Sequence, residues 1–318
     1  MNKTDLAVSV KGLQKSYKDK SVLKEVSFDV DRGTIYSLLG SNGAGKTTTI
    51  KILTTLLQPD GGQLNVSGYD VIREGEKVRE IISLTGQFAS VDESLTGREN
   101  LTLIGKLNHI ERPKERADEL LSSFDLTDAA NRLVSTYSGG MKRKLDIAMS
   151  LVNRPEVIFL DEPTTGLDPQ SRHVMWNIIQ ELKCAGVTIF LTTQYLEEAE
   201  QLADKIGILD KGSILVEGTA QELKQLLPRG IAEFTFRDEE RFDCALQLMG
   251  GYEVIAMREE NKLTIYTDGS ADTLSQIFQK LASAEIGIKA FSQKFPTLED
   301  IFLTLIGERE GKKNEENC

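Results

Sequence analysis

The sequence predicts an α/β architecture around a parallel, buried sheet, followed by a smaller α+β domain, on three observations. Residues 157–160 (Val-Ile-Phe-Leu) and 187–193 form β-prone, largely apolar runs with no inside–outside alternation, as strands covered on both faces do. Residues 34–57 read as strand, glycine-rich loop, helix. Beyond residue 230 the order is strand, helix, strand, strand, helix, strand, the ferredoxin-like pattern.

The bulk composition sets limits. At 318 residues with 40% apolar side chains, one large domain and a smaller one are expected. A net charge of −11 and a pI near 5.0 argue against a chain whose task is gripping nucleic acid. Cys184, Cys244 and Cys318 have no metal-ligand spacing, which suggests a reducing, cytoplasmic setting and no catalytic cysteine. The first ten residues lack the apolar core of a signal peptide, and no apolar run reaches the roughly 18–20 residues of a membrane span. A membrane role therefore calls for another chain.

Taken in order, residues 6–37 alternate around turns and read as a small antiparallel β unit. Tyr17 either stacks on a base or is a strand-end tyrosine. Gly40-Ser41-Asn42-Gly43-Ala44-Gly45-Lys46-Thr47 then satisfies G-x-x-x-x-G-K-[ST] in full. Its glycines let backbone N–H groups face phosphates at the positive end of a helix, with Lys46 on the β- and γ-phosphates and Thr47 on Mg²⁺. Helical spacing runs from Thr48 to Leu57.

A turn at 59–62 leads to a strand at 63–67, and 81–85 is a further short strand ending beside Gln87, which either touches Mg²⁺ or the attacking water, or is a solvated loop residue. Thr96 and Glu99 form a capping box for a helix to Leu107, and 113–124 reads as a second helix. His109 and His173 have no partner ligands and read as surface or capping residues.

Tyr137-Ser138-Gly139-Gly140-Met141 opens a helix whose apolar face carries Met141, Leu145, Ala148 and Val152, with Ser138 as cap. This second phosphate-seeking helix start, in a chain with one nucleotide loop, fits the nucleotide of a second copy. The apolar strand 157–160 ends in Asp161-Glu162: Asp161 would hold the metal, and Glu162 would deprotonate the water that attacks the γ-phosphate. Residues 187–193 read as the final core strand, followed by Gln194.

Together these motifs resemble the nucleotide-binding subunits of ATP-binding cassette transporters over residues 6–220, with Gly166-Leu167-Asp168 matching the dimer loop. The surroundings of Gln87 and Gln194 narrow the resemblance to ATP-binding subunits of the daunorubicin/doxorubicin-resistance exporter group. It implies a P-loop NTPase core with an inserted helical subdomain. It also implies a head-to-tail dimer in which two ATPs lie between one copy's phosphate loop and the other's Ser138, Gly139 and Gly140. By the same resemblance Tyr17 stacks on adenine, residues 40–47, Thr48 and Asp168 complete the ATP site, Glu162, Gln194 and Gln87 form the catalytic set, and Thr47, Gln87 and Asp161 surround Mg²⁺. Gln194 stands where most cassettes have a histidine; it can bond a γ-phosphate oxygen but carries no charge.

The expected organisation is a cassette over 1–228, with helices over about 88–155, an accessory domain over 229–307, and a charged, disordered tail over 308–318. The accessory domain shows no catalytic constellation and reads as dimer-stabilising or regulatory in preference to ligand-sensing; Thr297 and Asp300 cap its closing helix. The implied function is the ATPase of an exporter of a drug or other amphiphile, peripheral on the inner face of the cell membrane, with a separate permease and a second copy of itself. The alternative is a soluble cassette ATPase on ribosomes or DNA, though neither a second cassette nor a long coiled-coil insertion is present. A metabolic kinase has no use for Ser138-Gly139-Gly140.

Overall fold

The computed structural model describes residues 6–18, 20–86, 90–226, 230–294 and 296–303. Two compact units, Met1–Thr219 and Ala220–Cys318, make up the chain. Residues 228 and 229, where the sequence suggests the domain boundary, and the tail 308–318 lie outside the described residues.

In the first unit the elements run β1 (Leu6–Tyr17), β2 (Lys20–Asp31), β3 (Ile35–Leu39), α1 (Lys46–Leu53), β4 (Gly61–Val66), β5 (Tyr69–Asp70), α2 (Gly75–Ile81), β6 (Ile82–Thr85), α3 (Gly97–Leu107), α4 (Pro113–Ser123), α5 (Gly139–Ser150), β7 (Val157–Asp161), α6 (Pro169–Cys184), β8 (Thr188–Thr193), α7 (Leu196–Leu202), β9 (Lys205–Asp210) and β10 (Ser213–Gly218). An antiparallel sheet has the order β2-β1-β4-β5, and a six-stranded sheet the order β10-β9-β3-β8-β7-β6, parallel except for the β9–β10 hairpin. β8 is therefore not the last core strand: the alternating Ile206 and Ile208 of β9 join β3 beyond it, and Lys211-Gly212, both at positive φ, turn the chain into β10.

The parallel sheet is buried on both faces because successive side chains of each strand enter different cores. Val157, Phe159 and Phe190 pack with α1 and the antiparallel sheet, whereas Ile158, Leu160, Ile189 and Leu191 pack with α3, α4, α5 and α6. Phe28 of β2, Tyr36 of β3 and Phe190 of β8 stack with centroids 5.1 to 5.5 Å apart, joining the two sheets. α1 stops before Leu57 because Leu56 and Leu57 both donate to Lys51 O, with Thr55 at φ +65°. α3 has its capping box: Thr96 Oγ1 accepts from Glu99 N at 3.2 Å, and Glu99 Oε2 from Thr96 N at 2.8 Å.

The second unit contains α8 (Ala220–Lys224), β11 (Gly230–Phe236), α9 (Glu239–Leu248), β12 (Val254–Met257), β13 (Lys262–Thr267), α10 (Ala271–Ser283) and β14 (Ile288–Lys294). Its antiparallel sheet has the order β12-β13-β11-β14, the ferredoxin-like arrangement. Phe234, Phe236 and Ile265 on the sheet pack against Phe242 and Ala245 of α9 and Ile277 and Leu281 of α10. Thr297 N and Oγ1 both donate to Asp300 Oδ2, capping the helix at 298–303.

Candidate active site

The loop between β3 and α1 is fixed from outside. Gly40 N–H donates to Thr193 O at 3.1 Å, tying the loop to the end of β8. A Cβ at Gly40 would collide with the carbonyl of Leu209 on β9. Gly45, the N-cap of α1, stands at φ +117°, and a Cβ there would lie 2.5 Å from Leu23 Cδ2, so only glycine fits. The loop leaves Ser41, Asn42 and Gly43 exposed, buries Ala44, and delivers Lys46, Thr47 and Thr48 onto the first turn of α1, whose N–H groups lack intrahelical partners. Buried Lys46 donates from Nζ to Gly40 O at 2.8 Å and Ser41 O at 3.1 Å, and lies 3.3 Å from Glu162 Oε1.

The acid pair arrives at the same point from β7. Asp161 Oδ1 accepts from Thr192 Oγ1 at 2.6 Å and from Thr47 Oγ1 at 3.3 Å. A hydroxyl and a carboxylate thus converge as hard oxygen donors, the kind of set that suits Mg²⁺. Glu162 adopts φ +50°, a left-handed conformation costly for a residue with a Cβ. Its N–H donates to Thr192 O at 3.1 Å and its Oε2 accepts from Thr165 Oγ1 at 3.2 Å. Backbone strain and burial are therefore concentrated on the residue expected to be the base.

The remaining candidates divide. Half-buried Gln194 follows β8, which is in register with β7 so that Thr192 pairs with Asp161; Gln194 thus leaves the sheet at the acid pair's edge. Tyr17, at the end of β1, is 47% exposed. Lys15 Nζ lies 5.8 Å from that ring, and Asp60 holds the strand end by accepting from Lys15 Nζ at 2.7 Å and Ser16 N at 2.6 Å. Gln87 lies outside the described residues.

Ser138 and Gly139 are exposed at the start of α5, where Ser138 Oγ accepts from Met141 N at 3.3 Å. Among the described residues they and Gly140 share no hydrogen bond with the phosphate loop. Gly140 neighbours α6 instead: a Cβ on it would stand 2.9 Å from Ser171 Oγ. Asp168 is the N-cap of α6, accepting from Ser171 N at 2.9 Å and Ser171 Oγ at 2.6 Å. The Ser171 side-chain bond and then its backbone bond hold the Asp168 carboxyl below its ordinary range. Sequence reasoning misses Thr192, whose hydroxyl and carbonyl serve both acids, and Arg143, which donates to Pro163 O at 2.9 Å. In the sequence Thr192 shows only as one of two hydroxyl residues, Thr192-Thr193, at the end of a core strand.

Two family models match: "ABC transporter" over residues 23–165 and "ATP-binding protein DrrA1-3-like, C-terminal domain" over residues 218–306. The chain is 44% identical over 306 residues to a daunorubicin resistance ATP-binding protein of Streptomyces coeruleorubidus, covering 96% of this chain and 97% of that one. It is 42% identical over 324 residues to a daunorubicin/doxorubicin resistance ATP-binding protein of Streptomyces peucetius, covering 98% and 96%. A solved ATP-binding subunit of an ABC transporter aligns over 69% of this chain and 92% of its own, with a TM-score of 0.62 and 32% identity.

Proposed function

We infer that this chain, which belongs to the family of ABC transporter ATP-binding subunits, is the ATP-hydrolysing component of an exporter that moves a drug or another amphiphilic compound through a separate membrane permease. The observation that carries this reading is the double link between the phosphate loop and the acid pair, Lys46 to Glu162 and Thr47 to Asp161, each at 3.3 Å. Relatives named for daunorubicin and doxorubicin resistance support a drug-like cargo over the ribosome or nucleic-acid alternative. Among the described residues no helix is long and apolar enough to cross a membrane. Attachment at the inner face through the permease fits this.

In this reading the amides of residues 40–48 and the Lys46 ammonium bind the β- and γ-phosphates. Phosphate oxygens offer Lys46 a second anion, which leaves the Glu162 carboxylate to accept the proton of the attacking water. Thr47 and Asp161 would hold Mg²⁺, with Gln87, and Mg²⁺ when bound supplies positive charge to the phosphate oxygens. Gln194 donates to a γ-phosphate oxygen, and Tyr17 stacks on adenine. Ser138, Gly139 and Gly140 of a second copy cover the γ-phosphate, so ATP closes a homodimer and hydrolysis reopens it.

The test is purification of the tagged chain from its native membranes in mild detergent. A stoichiometric, strongly apolar polypeptide with several spans should accompany it. Recovery with ribosomes or DNA, and without such a polypeptide, contradicts the exporter reading.

A further inference from the structure

Arg143 and Asp146 stand one turn apart on α5, 3.2 Å from each other, each with a side chain only 6% exposed. Neither belongs to the nucleotide-contacting set above. Arg143 donates from Nε to Pro163 O at 2.9 Å and from Nη1 to Gly86 O at 2.8 Å. The second oxygen of Asp146 accepts from Ser90 N at 3.0 Å. Burial pushes the Asp146 carboxyl up and the Arg143 guanidinium down, opposed in each case by the charge of the other.

Pro163 directly follows Glu162 in the chain. The strained Glu162 turn is consequently held on two sides: on one by the bond from Glu162 N–H to Thr192 O at 3.1 Å, on the other by the bond from Arg143 to Pro163 O. α5 is also the helix that begins with Ser138-Gly139-Gly140.

We propose that Arg143, oriented by Asp146, is a positioning residue that sets the Glu162 carboxylate by fixing the Pro163 carbonyl to α5. This rests on the reading of Glu162 as the general base. Through it, a shift of α5 at the dimer interface reaches the base of the same subunit. A planar guanidinium suits the task because its nitrogens meet acceptors on separate segments at once. A lysine ammonium keeps the charge opposite Asp146 but is a single point, and cannot reach Pro163 O, Gly86 O and Asp146 together.

The test is a double-mutant cycle on the full chain, with hydrolysis rates normalised to the number of ATP-binding sites titrated in each sample. Arg143→Lys is expected to lower kcat roughly 10- to 100-fold, the cost of a small misplacement of a reacting group, with KM for ATP within about twofold. In a Glu162→Gln background the same change is expected to leave the residual rate unaltered, because the group it positions is gone. An equal loss in both backgrounds, or a loss in neither, overturns the proposal, as does a rise in KM that accounts for the whole effect. The Glu162→Gln arm alone reports whether the general-base reading fails, so the two failures are distinguishable. Should Arg143→Lys not fold, Asp146→Asn runs through the same cycle, since it keeps an acceptor for Ser90 N while releasing the guanidinium.

Discussion

Lys46 Nζ lies 3.3 Å from Glu162 Oε1, with the two side chains 5% and 9% exposed, so the phosphate-loop cation and the proposed base share one buried ion pair. Removing one member of such a pair is more damaging than removing both, because the survivor is a charge in a dry setting. Lys46→Met should cost about 3–5 kcal/mol by the general measure for broken buried pairs. The bond from Thr165 to Glu162 offsets part of this. Lys46→Met combined with Glu162→Gln should recover a measurable fraction in urea unfolding; a double variant no more stable than Lys46→Met alone contradicts the pairing.

Glycine positions in the two phosphate-facing motifs should respond differently. Gly45→Ala introduces a Cβ at φ +117° against Leu23, combining backbone strain and overpacking of about 1–3 kcal/mol each. It should abolish ATP binding and lower the urea midpoint. Gly139→Ala meets nothing within 4 Å and should leave the midpoint of the single chain close to wild type.

The dimer reading predicts a separation between binding and association. In a Glu162→Gln background ATP should shift the chain to a dimer on a sizing column, and Ser138→Arg should abolish that shift while ATP binding persists. Ser138→Ala, which within the single chain loses the cap bond to Met141 N, should cost about 1 kcal/mol of stability and, since it adds neither bulk nor charge at the interface, weaken the shift far less than Ser138→Arg. A Ser138→Arg variant that still dimerises removes the composite site.

Glu198 provides a pH test. It is fully buried; Thr164 Oγ1 donates to its Oε1 at 2.8 Å and Trp176 Nε1 at 3.3 Å, and the Thr193 side chain also acts on the carboxyl. Burial raises its carboxyl pKa, outweighing the hydrogen bonds that act the other way. The folded state therefore holds the proton more tightly than the unfolded chain, and stability falls as pH rises from the ordinary value of about 4.3 through the raised one. Glu198→Gln should be more stable than wild type near pH 8 and lose that advantage as pH falls through the raised value toward about 4. A stability difference constant with pH contradicts this.

The elements most legible in the sequence were those whose signal is local. The apolar strands 157–160 and 187–193, the glycine loop and the capping boxes at Thr96 and Thr297 each depend on residues within a few positions of one another. The strand order of the second unit follows from the sequence of its elements. The features without a sequence signal depend on distant contacts or on a register that periodicity does not set. Lys205–Asp210 carries only three strongly apolar residues, so its place beside β3 comes from pairing along the sheet. Arg143 reads as one helical cation among three, Lys142, Arg143 and Lys144; only the fold brings Pro163 and Gly86 to its guanidinium. The positive φ of Glu162 likewise has no signature in Leu-Asp-Glu-Pro.

The central claim is that Glu162 deprotonates the attacking water while Lys46 and the loop hold the phosphates. Its most direct test is ATP hydrolysis by Glu162→Gln with ATP affinity measured on the same preparation. A fall in kcat of roughly 10²- to 10⁴-fold with ATP affinity retained is the expected result. Hydrolysis near the wild-type rate by a variant that binds ATP normally contradicts it.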